Sequence, residues 1–177
     1  ATASVVEHVF LLMLTLTRQL DAYRQRVTAG DWARSRYFCL FDAPIEDLSG
    51  KTLGIIGYGV LGQAVARMAR AFSLRVNIAQ RLHGSPVAGR MPLDELLATS
   101  NVVSLHCPLT EHTRGLIGEP QLRHMNKSAI LINTARGGIV DEPALVTALQ
   151  KGWIAAAGID VLASEPPGTS SPLLQYR

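Results

Sequence analysis

An α/β domain built on a doubly wound parallel sheet, with helices on both faces and a linking helix in front, is the fold this sequence predicts. Three observations predict it. From Lys51 onward, apolar strand-like runs alternate with amphipathic helix-like segments, which is the pattern of a parallel sheet covered on both sides. The first run breaks into GYGVLG, Gly57 to Gly62, three glycines at the spacing G-x-G-x-x-G between a strand and a helix. Finally, 177 residues with 47% hydrophobic content can bury roughly 70% of the surface that the unfolded chain exposes, enough for one globular domain.

The elements follow in order. Val5, Val9, Leu12, Leu16 and Leu20 recur at helical intervals, so residues 3–20 read as one amphipathic helix. Its apolar centre, VFLLMLTL at residues 9–16, is too short to span a bilayer and follows Glu7 and His8 with no basic segment before it. Residues 1–50 are expected to form this linking helix and the connection into the fold, and residues 51–177 the domain itself. The expected strands are 51–57, 75–80, 102–107, 129–134 and 155–161. Between the first two, Leu61, Ala64, Val65, Met68, Ala69 and Phe72 make an apolar face opposite Gln63, Arg67 and Arg70. Pro92, Asp94 and Glu95 open a short helix. Asp141 caps another, with Glu142 and Pro143 in its first turn and Gly152 stopping it. Residues 81–90, RLHGSPVAGR, read as a loop.

Composition narrows the partners. A formal charge of +3 comes from 17 Lys+Arg and 14 Asp+Glu, with the basic residues scattered as single arginines. That disfavours nucleic acid and suits a small anionic ligand such as a cofactor phosphate. Cys39 and Cys107 stand far apart, with no C-x-x-C and no metal-like pairing with the five histidines. The expectation is no metal, no membrane and a reducing, cytoplasmic setting.

The glycines carry the chemistry. Gly57 permits a tight turn, Gly59 lets backbone approach a pyrophosphate, and Gly62 allows close helix-to-strand packing. Leu61 lies among them in the first helical turn, where free N–H groups and the positive dipole end face phosphate. Eighteen positions beyond Gly62 stands Gln80, about where an NAD-specific fold places an acid to take hydrogen bonds from the adenosine ribose. Gln80 lacks the charge that would repel a 2′-phosphate, and Arg81 beside it can pair with one. The cofactor expected is NAD or NADP, with NADP preferred or tolerated.

Further segments widen the match: SVVEHVFLLMLTLTR near the start, GKTLGIIGYGVLGQAVA, SLHCPLTEHTRGLIG, ILINTARGGIVDEPALVTAL and GIDVLASEPP. Over nearly the whole chain, they resemble the D-isomer-specific 2-hydroxyacid dehydrogenases. ASEPPGTSSPLL looks most like the glycerate dehydrogenase/hydroxypyruvate reductase branch. The resemblance implies a Rossmann-type fold and hydride transfer between a nicotinamide cofactor and a small keto acid substrate such as hydroxypyruvate or glyoxylate. Carried over by motif, Arg136 grips the substrate carboxylate, for which a guanidinium's rigid fork of donors is suited. Glu165 pairs with a histidine and raises that histidine's pKa. Asp160 meets the nicotinamide carboxamide, and Cys107, Pro108, Thr113, Thr134 and Ala135 line the cofactor crevice.

In the family the proton-donating histidine follows the glutamate, whereas His8, His83, His106, His112 and His124 all precede Glu165. The chain ends at Arg177, before that segment, and begins without Met almost directly in its first helix. The resemblance therefore implies a chain without its substrate domain and inactive alone. It also implies a homodimer, with the apolar stripe of residues 5–20 as the driving surface. A different class of function is a regulatory module that senses the dinucleotide without chemistry, which fold alone does not separate from an enzyme. The presence of both Arg136 and Glu165 favours the enzyme.

Overall fold

A computed structural model describes residues 2–41, 43–82, 84–169 and 171–176. Two helices come first, α1 (Thr2–Thr17) and α2 (Leu20–Thr28), followed by an irregular stretch to residue 51. Alternation then begins with β1 (Thr52–Ile56), α3 (Val60–Ala71) and β2 (Arg75–Ile78). It continues with α4 (Leu93–Thr99), β3 (Val102–Leu105), α5 (Glu119–His124), β4 (Ile130–Asn133), α6 (Glu142–Gln150), β5 (Ala156–Ile159) and α7 (Pro172–Gln175). All five expected strands are present, each shorter than expected at its carboxyl end and β1, β4 and β5 also by one residue at the start.

The sheet runs β2-β1-β3-β4-β5 with every pair parallel. The strand order reverses at β1: the chain first moves outward to β2, then returns to β3 on the other side. Ligands bind outside the carboxyl ends of the strands at such a reversal. Beyond β2 the sheet extends by a single parallel bridge, Ala79 to Met91, closed by Gln80 N–H to Met91 O and Met91 N–H to Ile78 O.

β1, β3 and β4 are buried along their whole length, as continuous apolar runs require. On one face, Leu96 and Leu97 of α4, Leu122 of α5, and Leu145 and Ala148 of α6 pack against Val103, Leu105 and Leu131. On the other, α1 and α3 pack side by side over Leu53, Ile55, Val102, Ile130 and Ile132, and Phe10 stacks on Phe72 with ring centroids 5.1 Å apart. Asp141 caps α6 as expected, its carboxylate accepting from Ala144 N–H at 3.0 Å.

The front of the chain differs from the expectation in two respects. The single helix over 3–20 is broken at Gln19, which takes a left-handed conformation (φ 54°, ψ 39°) and separates α1 from α2. More consequentially, the apolar stripe of α1 faces inward. Val6, Val9, Phe10 and Met13 are buried against the chain's own sheet and α3, and Val5, Leu12 and Leu16 lie at the margin of that core. The helix expected to link domains packs as one layer of this domain, and most of its apolar stripe is taken up by that packing. Of the front segment's apolar residues, Leu11 and Leu20 remain exposed, and the most exposed aromatics lie farther on, at Trp32, Tyr37, Phe38 and Phe41.

Candidate functional site

The glycine turn joins β1 to α3 and could not be built from other residues. Gly57 has φ +97°, and a Cβ there would stand 2.5 Å from His106 C and Cys107 N, the backbone leaving β3. A Cβ on Gly62 would meet Gly57 O at 2.1 Å. These two absences draw the turn, the start of α3 and the exit of β3 together. A Cβ on Gly59 would meet nothing within 4 Å, because this residue faces open space at the N-cap of α3. The first-turn amides of a helix have no partner within it, and here they lie beside that space.

The space is a cavity of about 550 Å³ at the carboxyl ends of β1, β2 and β3, where the strand order reverses. Of the residues expected at the cofactor, Gly57, Gly59, Gln80, Arg81, Cys107, Pro108 and Thr113 line it, whereas Thr134, Ala135 and Asp160 do not. Tyr58, Arg90, His106 and His112 join them without having been singled out for this role. Leu61 does not line it. Its side chain turns into the core beneath α3, so this residue can serve a ligand only through its backbone.

Several of these side chains shape the wall. Gln80 donates from its amide to Val87 O (3.0 Å) and Arg90 O (3.2 Å), and accepts from Val87 N–H (3.0 Å). The amide expected to meet a ribose hydroxyl is thus engaged in closing the 81–90 loop. Thr113 likewise donates its hydroxyl to Pro108 O (2.6 Å) and accepts from Thr110 N–H (2.7 Å), folding the 108–113 loop. His106 is fastened by Nε2 to Ser104 Oγ at 2.9 Å, while its buried Nδ1 has no protein partner. Burial lowers its pKa from the usual 6.5 to about 4, so the ring is neutral at pH 7 and is no reservoir of protons there. Burial raises the pKa of the Cys107 thiol, although a hydrogen bond to its backbone works the other way. The sulfur is therefore no activated nucleophile.

Farther along the same carboxyl edge, the ends of β4 and β5 carry the second group of predicted residues. Asn133, fully buried, accepts from Ala135 N–H (3.1 Å) and donates to Arg136 O (3.0 Å), bending the backbone so that Arg136 emerges from the sheet edge. The guanidinium donates once to Ala135 O at 2.6 Å and is otherwise exposed. A Cβ on Gly137 would stand 1.8 Å from Leu162 O. Glycine at this position lets the Arg136 loop lie directly on the loop that carries Glu165. That second loop is tied by Glu165, which accepts from Leu162 N–H at 2.9 Å, and by Glu142, which accepts from Ala163 N–H at 2.7 Å. Asp160, at the end of β5, pairs with His8 of α1 at 3.1 Å. The Thr134 hydroxyl is buried without a protein partner.

Sequence reasoning missed the roles of Asn133, Glu142 and His8. An asparagine two residues before a buried amide, and a glutamate opening a helix, are local signals. The pairing of His8 with Asp160 spans the fold and had none. Among the described residues, no group of three or more His, Cys, Asp or Glu side chains is arranged to hold a metal ion. No helix among them is long and apolar enough to cross a membrane.

Residues 10–177 match the family described as D-isomer specific 2-hydroxyacid dehydrogenase, NAD binding domain. The chain belongs to the D-isomer-specific 2-hydroxyacid dehydrogenases. It is 49% identical over 164 residues to a glycerate dehydrogenase of Methylorubrum extorquens, a match covering 93% of this chain and 51% of that protein. It is 37% identical over 178 residues to a hydroxypyruvate reductase of Blautia hydrogenotrophica, covering 98% and 55%. An NAD-complexed structure of a D-isomer specific 2-hydroxyacid dehydrogenase from Lactobacillus delbrueckii ssp. bulgaricus superposes with a TM-score of 0.79 at 32% identity, covering 96% of this chain and 52% of that one. The chain spans about half the length of the curated relatives it matches.

The dehydrogenase domain's own geometry fits NAD. Gly59 leaves room for a phosphate group against helix-terminal amides. The orphaned Thr134 hydroxyl at the same edge is a polar atom that protein leaves unsatisfied.

Proposed function

We propose that this chain is the dinucleotide-binding part of an oxidoreductase acting on a small 2-keto or 2-hydroxy acid of the hydroxypyruvate or glyoxylate kind. One observation supports this above others: the phosphate-accepting glycine turn and the exposed Arg136 guanidinium stand on the carboxyl edge of one parallel sheet. The glycine turn and first-turn amides of α3 would hold the pyrophosphate, with the 106–113 loop as the opposite wall. The dinucleotide, when bound, supplies or takes up the hydride. Arg136 holds the substrate carboxylate and, by polarising the neighbouring carbonyl oxygen, favours attack at the keto carbon.

Glu165 is assigned to pair with the proton-donating histidine and raise its pKa. His106, largely buried and with its pKa lowered by that burial, is not assigned the proton-donor role. Residues 1–177 by themselves are expected to bind dinucleotide weakly and not to turn over, since half of such a crevice comes from a second domain that excludes water. Arg81 at the cavity mouth favours acceptance of NADP as well as NAD. The two free cysteines suit a reducing cytoplasm.

In the intact enzyme, Arg136→Lys keeps the charge and loses the forked grip. It is expected to cost about 1.5–3 kcal/mol in kcat/KM for the keto acid, with cofactor affinity hardly changed. An unchanged kcat/KM would refute the assignment of Arg136.

The same reading includes a homodimer, with its driving surface relocated. Phe38 is 89% and Phe41 72% exposed, and Trp32 donates its indole N–H to Phe38 O at 3.0 Å. An aromatic patch held in place in this way is uncommon on a monomer. Sedimentation at high concentration should show a dimer, and Phe38→Ser with Phe41→Ser should weaken it. A strictly monomeric mass in the unsubstituted chain would count against pairing.

A further inference from the structure

Among the described residues, no carboxylate lines the 550 Å³ cavity, whereas Arg81 and Arg90 both do. Neither arginine belongs to an ion pair among those residues. Arg90 is also fixed in place. Its carbonyl accepts from the Gln80 amide, its N–H donates to Val87 O, and the next residue, Met91, is bridged to the sheet beyond β2. Its guanidinium lies over the Tyr58 ring, 5.7 Å from the centroid, and Tyr58 stands between the two glycines of the phosphate turn. The loop that Gln80 closes therefore begins at Arg81 and ends at Arg90, bringing both cations to the mouth of one cavity.

We propose that Arg90, held over Tyr58 and lining the same cavity as Arg81 at the far end of the loop that Gln80 closes, is the second anchor for a phosphate on the adenosine ribose of the dinucleotide. The proposal rests on the dinucleotide reading above and names the residue that sets cofactor preference within it. A ribose phosphate carries nearly two negative charges and three acceptor oxygens, more than one exposed arginine satisfies. A guanidinium already ordered on an aromatic face loses less freedom when it binds. Gln80 then acts by positioning: its amide does not touch the ribose but holds the two arginines where the phosphate arrives.

Calorimetric titration of the full chain with adenosine 2′,5′-bisphosphate and with AMP isolates this subsite from the nicotinamide end. The bisphosphate should bind at least about tenfold tighter than AMP, with a preference that falls as salt rises. Arg90→Gln should bring the two ligands within about threefold of each other while changing AMP affinity by less than about twofold. Tyr58→Phe, which keeps the ring, should retain the preference, and circular dichroism should show both variants folded. No binding of either ligand at millimolar concentration would overturn the dinucleotide reading itself, and equal binding by the unsubstituted chain would overturn the 2′-phosphate reading. A preference that survives Arg90→Gln would leave both standing and overturn the role of Arg90.

Discussion

Replacing Gly57 with alanine should abolish dinucleotide binding and destabilise the domain by about 2–4 kcal/mol. Two costs combine. At φ +97° an L side chain is strained on its own account, and the new Cβ would stand 2.5 Å from the backbone of His106 and Cys107. Backbone there cannot swing aside as a flexible side chain would. Relief requires β1 and β3 to part at their carboxyl ends, where the cavity opens. Gly59→Ala separates folding from binding, because its Cβ meets nothing in the chain and faces the space assigned to phosphate. Thermal midpoints and ligand titrations on both variants check this. Gly57→Ala should lose stability and binding together, while Gly59→Ala should keep its midpoint and lose more than about tenfold in affinity. If Gly59→Ala bound dinucleotide normally, the cradle would lie elsewhere.

Gly137→Ala carries the second large expected effect. Its Cβ would sit 1.8 Å from Leu162 O, a tighter overlap than at Gly57, so the Arg136 loop and the 162–165 loop must separate. The Leu162 N–H to Glu165 and Ala163 N–H to Glu142 bonds set the shape of the second loop and are the first contacts to be disturbed. In the intact enzyme, kcat/KM for the keto acid should fall by about 10²-fold or more, as a displacement of about 1 Å at a reacting centre can cause. Cofactor affinity should fall far less, because the glycine turn follows β1, which β3 separates from β4 and the Arg136 loop. Steady-state kinetics together with cofactor titration would show this split. Normal kcat/KM in a folded Gly137→Ala enzyme would mean that Arg136 and Glu165 do not depend on contact between their loops.

Much of the fold was legible because strands buried on both faces read as unbroken apolar runs. TLGII, VVSL and ILIN are such runs, and each proved fully buried. The Asp141 cap was legible for a local reason, since a side chain three residues from the amide it accepts needs no tertiary information. The break at Gln19 was not, because a glutamine in the left-handed region has no composition signal and the apolar spacing continues through it. Nor does periodicity show what a helix packs against. The stripe of α1 was visible, but its burial against α3 and β4 within the same chain depends on the return of the whole chain past it.

The site divides along the same line. Gly57, Gly59 and Gly62 announced themselves through spacing between a strand and a helix; at Gly57 and Gly62 a side chain would collide with backbone, while Gly59 opens onto the cavity. Gln80 was correctly located at the end of the second strand, but its amide bonds to Val87 and Arg90, contacts across a loop with no periodicity to reveal them. Arg90 was invisible for a related reason: its neighbour Tyr58 lies 32 positions earlier in the chain, and contacts across the loop, the Met91 bridge and the Gln80 amide among them, bring the two together.

The central claim is that the crevice at the sheet reversal holds a dinucleotide, and amide chemical-shift mapping of the isotope-labelled chain during titration with NADH and NADPH tests it most directly, even for weak binding. The account expects saturable shifts concentrated at Gly57–Gly62, at Ala79–Leu82 and at His106–Thr113, with Arg90 moving more with NADPH than with NADH. Absence of shifts at millimolar ligand, or shifts centred on α2 and the exposed aromatic stretch while the glycine turn stays silent, would contradict it.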